Sequence, residues 1–252
     1  MAFLWLAGLA LTMSAARAPA PVQTPDFPAE YTALEKEFDK AMEAYYAPYQ
    51  TAKTDEERAK VVLDPEKNPA KEFTAKFQDL ATRAKGTDTG AKSQFWIAAN
   101  LSNMPDADKA AISKALDSLV AEYLESPVMS DVAEWLPYGA RSIGAKKARE
   151  VLDLLSEKPK NGDTRAAALY SLANLDQEEG KNDKALAIFR RLQKDHPGTQ
   201  QAARAEGALF ELEHLQVGMT APDFEGIDQD AVAYKLSDYK GKVVVLDFWG
   251  IW

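Results

Sequence analysis

The strongest pointer to chemistry in this sequence is the run that closes it, Val243-Val244-Val245-Leu246-Asp247-Phe248-Trp249-Gly250-Ile251-Trp252. Val243 to Trp249 is almost continuously apolar, rich in β-branched and aromatic residues and bounded by glycine on both sides. That pattern predicts a central strand buried on both faces of a mostly parallel sheet. Little else competes for a chemical role. None of the 252 residues is cysteine, so the chain forms no disulfide, thiolate metal site or thiol nucleophile of its own. The two histidines, His196 and His214, stand outside any ligand-spaced cluster and read as loop and helix-surface residues. No metal site and no cofactor is expected. The acidic clusters Asp55-Glu56-Glu57 and Gln177-Glu178-Glu179 read as solvated helix faces. There is no phosphate loop, no Gly-x-Ser-x-Gly elbow and no calcium loop.

Two elements precede the strand and must position it. One is Gly218-x-x-Ala221-Pro222-x-Phe224, the other Leu236-Ser237-x-Tyr239-x-Gly241-Lys242. Together with a Val/Leu strand ending Phe248-Trp249-Gly250-x-Trp252, this order and spacing resembles the opening of the redoxin family, whose members have a thioredoxin-like fold. The likeness is greatest to its exported thiol-disulfide oxidoreductases of the TlpA and ResA type, and it covers Val217 to Trp252. It implies that a Trp-Cys-x-x-Cys motif follows the strand, with Trp252 as the tryptophan before the first cysteine. Phe248, Trp249, Gly250 and Trp252 are then neighbours of an active site whose catalytic residues lie outside the 252 residues. A side chain at the junction of strand and helix meets unsatisfied backbone N–H groups and the positive end of the helix dipole, which favour thiolate over thiol. A second cysteine one turn later resolves the mixed disulfide. The substrates implied are protein thiols or disulfides. Because a strand without partners exposes unpaired backbone and an apolar face, the expectation is a truncated product or fragment of such an oxidoreductase.

Ahead of this opening the sequence reads as helical. Residues 1–18 are expected to be an export signal, with the apolar run Phe3 to Met13 followed by a small-residue tract in which Ser14 and Ala16 fit a cleavage site. A buried N-terminal helix or a short membrane anchor is the alternative, since no Lys or Arg precedes the run. Residues 19–28 form a proline-rich tether. Residues 29–215 are expected to be an α-helical, repeat-like domain and 216–252 the partial thioredoxin-like one, so the fold class is mainly α followed by the β portion of an incomplete α/β domain. Tyr31, Leu34, Phe38, Met42, Tyr45 and Tyr49 form one stripe of a first helix ending near Pro48. Further helices are predicted over 54–62, 70–85, 91–101, 107–125, 131–136 and 146–157. Thr54 with Glu57 has capping-box spacing, and Asp106 is expected to cap the helix after it.

The stretch 166–199 carries Leu169, Leu172, Ala173, Gly180, Ala185, Phe189, Leu192 and Pro197 at the spacings of a tetratricopeptide repeat, which it resembles. Asp176 stands where that pattern has an aromatic residue. One hairpin cannot bury its own apolar face, so neighbouring segments, 202–215 among them, must stack on it in a right-handed array. Such an array could hold a protein partner.

Composition closes some classes. A net charge of −9 and a pI near 4.9 argue against nucleic acid as a ligand. Two other functions remain open beside the exported oxidoreductase. One is a non-catalytic helical scaffold; the other is a peroxiredoxin-type antioxidant, which shares the Ala-Pro-x-Phe opening of the AhpC/TSA type but usually has a proline where Phe248-Trp249-Gly250 has none.

Overall fold

A computed structural model describes residues 25–104, 107–247 and 249–250. The expected export signal and most of the expected tether therefore lie outside the described residues, as do Asp106, Phe248 and Trp252. Ten α-helices and one two-stranded sheet make up the regular structure among the described residues, apart from two 3₁₀ turns.

Helix α1 spans Phe27–Thr51. Asp26 caps it by accepting from the Ala29 amide at 3.1 Å. Pro28 sits in the first turn, where its missing N–H is no loss. The helix thus takes up the last two residues of the expected tether, and it runs through Pro48 to Thr51. Past that proline the Thr51 hydroxyl donates to the Ala47 carbonyl at 2.8 Å. The next predicted helix, 54–62, shrinks to α2, Asp55–Arg58. Its capping box forms between Thr54 and Glu57 as expected, but no residue of the turn is buried, so nothing sustains it further.

Helices α3 (Pro69–Arg83) and α4 (Asp88–Ser102) form an antiparallel pair under α1. Phe77 stacks on Trp96 with ring centroids 3.9 Å apart, and Phe38 of α1 meets that tryptophan edge-on at 4.8 Å. Gly90 permits the close approach of α4 to the preceding turn. A Cβ there would lie 2.6 Å from the Ala84 carbonyl oxygen and 2.7 Å from the Tyr123 hydroxyl. Helix α5, Lys109–Glu122, is capped by Asp108.

From α4 onward the stacking follows one rule. Helices α6 (Val128–Ile143) and α7 (Ala145–Glu157) form a pair, hinged at Gly144 with φ +90°. Helices α8 (Gly162–Glu178) and α9 (Asn182–Asp195) form the next, and α10 (Gln200–His214) packs on both of them. The first helices α4, α6, α8 and α10 contact one another in sequence, while α7 and α9 flank them. Leu169, Leu172, Ala173, Ala185, Phe189 and Leu192 are all buried in or beside the α8–α9 crossing. Gly180 closes α8 at φ +73°, with the Lys181 amide reaching back to the Asp176 carbonyl at 2.7 Å, the geometry that satisfies a helix end with a left-handed glycine.

Helix α6 is ten residues longer than the predicted 131–136 and contains Pro137. Proline removes one i→i−4 donor, which leaves the carbonyl of Ala133 without its helical partner. The Ser171 hydroxyl of α8 donates to that carbonyl at 2.9 Å. The break in one helix is thereby filled from the next pair.

Asp176, the departure from the repeat pattern, is only 4% exposed. Its carboxylate pairs with Arg149 of α7 at 3.0 Å, and Arg149 also donates to Glu179 at 3.1 Å. An ion pair between neighbouring hairpins occupies the place of an aromatic side chain.

The β portion differs from expectation. Strand β1 (Glu225–Ile227) pairs antiparallel with β2 (Ala233–Lys235), with Gly226 opposite Tyr234. The segment 243–247 forms no strand and is exposed rather than buried on both faces. A central strand is defined by hydrogen-bonded neighbours on both edges, and the described residues supply none.

Candidate functional site

The segment expected to carry the chemistry is built on the small hairpin. Asp223 accepts from the Ser237 amide at 2.8 Å, and the Leu236 amide donates to the Phe224 carbonyl at 3.0 Å. Bonds from the Ser237 side chain and backbone hold the Asp223 carboxyl below the usual carboxylate range. The two sequence elements Gly218–Phe224 and Leu236–Lys242 are thus tied to one another. Tyr234 lies edge-on to Phe224 and to Tyr239, at 6.3 and 6.4 Å. Gly241, at φ +82°, turns the chain into the apolar run, and the Lys242 amide donates to the Tyr239 carbonyl at 3.0 Å.

Along that run exposure alternates: Val243 97%, Val244 40%, Val245 87%, Leu246 51%. Val244 and Leu246 line one cavity with Phe224, Tyr234, Leu236 and Tyr239, while Val243 and Val245 face outward. The segment has the two-residue period of a strand, with one side resting on the hairpin and the other open. Of the residues expected beside the active site, Trp249 and Gly250 are exposed, and Phe248 and Trp252 lie outside the described residues. The structure brings none of these residues together with a thiol, since the chain has none.

A second feature went unmarked in the sequence. A groove of about 470 Å³ runs over the first helices of two successive pairs and α10, lined by Glu134, Pro137, Tyr138 and Arg141 of α6, Tyr170, Ser171, Asn174 and Glu178 of α8, and Arg204 of α10. Arg204 lies over the Tyr170 ring at 4.5 Å and reaches Glu134 at 3.4 Å. Glu134 also accepts from Gln201 at 2.9 Å. One turn earlier, burial and the charge of Glu134 push the Asp131 carboxyl up. Tyr138 stands exposed on the rim. Tyr170 and Arg204 lie 34 residues apart on successive first helices, and no pattern of residue types marks them in the sequence.

The histidines do no joint work. His196 Nδ1 lies beside Gly162 at the start of α8, where burial, and then Arg165 and Arg191, lower its pKa. His214 lies against the Phe210 ring at 5.0 Å. Among the described residues no three His, Asp or Glu side chains are grouped to hold a metal ion, and no helix is long and apolar enough to cross a membrane.

The chain is similar, over a short stretch, to curated proteins called thiol-disulfide oxidoreductase ResA. It is 56% identical over 38 residues to that of Geobacillus kaustophilus and 53% over 38 residues to that of Geobacillus thermodenitrificans, in each case 15% of this chain and 22% of the relative. It is 40% identical over 47 residues to that of Bacillus anthracis, 19% of this chain and 27% of the relative. The chain therefore spans only about a quarter of the length of the curated relatives it matches. No family model matches it, and no solved structure does. These partial matches support a thioredoxin-like relationship over part of the chain, joined to a mainly helical body.

Proposed function

We propose that these residues belong to an exported thiol-disulfide oxidoreductase whose helical region, residues 29–215, precedes a thioredoxin-like domain opening at 216. The observation that carries the reading is the ordered set Gly218, Ala221-Pro222, Phe224, Leu236-Ser237, Tyr239, Gly241-Lys242 and the apolar run after it, together with the ResA similarity. In the whole protein the open face of 243–246 meets further strands and a helix, and the strand delivers a cysteine to the first turn of that helix. The helix N-terminus lowers the thiol pKa there, and the thiolate attacks a substrate disulfide. Protein thiols and disulfides are the substrates. Export supplies an oxidising setting in which such exchange has work to do.

The test is direct. The coding sequence beyond Trp252 is read, and the whole protein is titrated for thiols and assayed for disulfide reduction. A Trp-Cys-x-x-Cys continuation with one low-pKa thiol is the expected result. A continuation without a thiol pair, or a stop, removes the oxidoreductase.

A second reading is favoured by the groove over α6, α8 and α10: the helical region is an interaction scaffold, with Tyr138, Asn174 and the Arg204–Tyr170 stack as its contacts. It predicts that Tyr138→Ala combined with Arg204→Ala lowers retention of an envelope protein by a residue 29–215 bait. Unchanged retention removes the groove from the account.

A further inference from the structure

Each first helix of the array makes two sets of contacts. On α8, Ala168, Ser171 and Leu175 face the preceding pair, while Leu169 and Ala173 take part in the crossing with Ala185, Phe189 and Leu192 of α9. Advancing by one repeat, from Leu169 to Ala203, carries the first set onto Ala202, Ala205 and Leu209, and these residues of α10 are packed in the core. It carries the second set onto Ala203 and Gly207, and Asp176 onto Phe210; His214 lies one turn further along the same face. Among the described residues that face has no occupant. Phe210 is 48% exposed, and a Cβ placed on Gly207 meets nothing within 4 Å. Among the described residues after α10 there are only two short strands and a 3₁₀ turn, so no helix of residues 216–250 takes the seat that α9 takes on α8.

We propose that this face of α10 is occupied by the α10 of a second copy, lying antiparallel across it. The stripe is complementary to itself. A two-fold axis between positions 208 and 209 sets Phe210 over the gap at Gly207 of the other copy, and His214 over Ala203, a large side chain facing a small one each time. On one flank Glu211 comes within about 3 Å along the axis, two residues of helical rise, of Arg204 of the other copy, which also keeps its contacts with Glu134 and the Tyr170 ring. On the other flank Glu206 approaches Glu213, whose charge is already met by Arg190 at 2.7 Å. A single helix face per subunit is smaller than a standard stable interface, so the dimer dissociates on dilution.

Sedimentation of the 252-residue chain over a range of concentrations tests the pairing, with helical circular dichroism to show that variants fold. Phe210 is half exposed in the monomer, so Phe210→Glu leaves the fold intact and should give a monomer at every concentration. The register is read by disulfide formation. Because the chain has no cysteine, mixing Ala203→Cys with His214→Cys chains should give the mixed dimer in large excess over either homodimer. A chain that is monomeric throughout overturns the proposal. So does association that survives Phe210→Glu, or that is lost on Val245→Asp in the exposed apolar run. Equal yields of mixed and homodimeric cross-links overturn the antiparallel register.

Discussion

Replacing Ser171 by alanine should cost this protein stability in a way that depends on a residue in another helix. Ser171 and Ala133 are both buried, and the hydroxyl donates to the one carbonyl of α6 that Pro137 leaves without a helical donor. With the hydroxyl gone, that carbonyl, on the fully buried Ala133, has no partner in the protein. The cost of such an orphan is about 1–3 kcal/mol. In Pro137→Ala the amide of residue 137 can donate to Ala133 in the ordinary helical way, and Ser171→Ala then loses only an additional bond, worth about 0.5–1 kcal/mol. The double-mutant cycle should therefore show a coupling of about 1 kcal/mol or more. Urea unfolding of the four chains followed by helical circular dichroism gives the numbers. Equal costs for Ser171→Ala in the two backgrounds, within the roughly 0.5 kcal/mol expected of independent sites, would refute the idea that the hydroxyl fills the proline's break.

Further outcomes follow from the packing. Asp176→Ala should cost about 3 kcal/mol in the same assay, the lower end for breaking a buried pair, because Arg149 keeps Glu179; Arg149→Ala should be non-additive with it. Phe77→Ala removes the ring stacked on Trp96 in a fully buried site and should cost about 3–5 kcal/mol, with a change in tryptophan fluorescence. Gly90→Ala should destabilise through the clash with the Ala84 carbonyl, read as a lower melting temperature. Burial, and then Arg165, lower the His196 pKa in the fold. The unfolded chain then binds the proton more readily, so stability is full above the unfolded histidine value and falls as pH drops through the folded one. His196→Gln should flatten that part of the pH profile, and an unchanged profile would contradict the burial argument.

The helical body was legible because its determinants are local. Periodic apolar residues, Thr54 with Glu57, and the small residues Ala173 and Ala185 at a crossing each act within one hairpin, and all appear where the spacing put them. The misses depend on residues distant in sequence. Pro137 reads as a stop, but α6 continues past it, with the hydroxyl of Ser171, 34 residues later in sequence, meeting the carbonyl that the proline leaves free. Asp176 reads as a defect in a repeat until Arg149 of α7 is seen beside it. The strand expected at 243–249 fails for a related reason. Its residues have the right character, but strand structure is conferred by partners, and neither β1 nor β2 pairs with it. The groove escaped notice because Tyr138, Tyr170 and Arg204 are ordinary surface residues singly and acquire meaning only when the helices bring them together.

The core of the helical body is divided into three apolar clusters rather than one, joined where Trp135 touches the first two and Ile188 the second junction. In such a row, cooperativity passes only between neighbours. A lesion near α1 is felt at α4 and fades before α9, and melting begins as fraying from one end. Heat should therefore resolve into overlapping transitions rather than a single sharp one, with Trp135→Ala separating them further. The two ends of the body are thermodynamically almost strangers to each other.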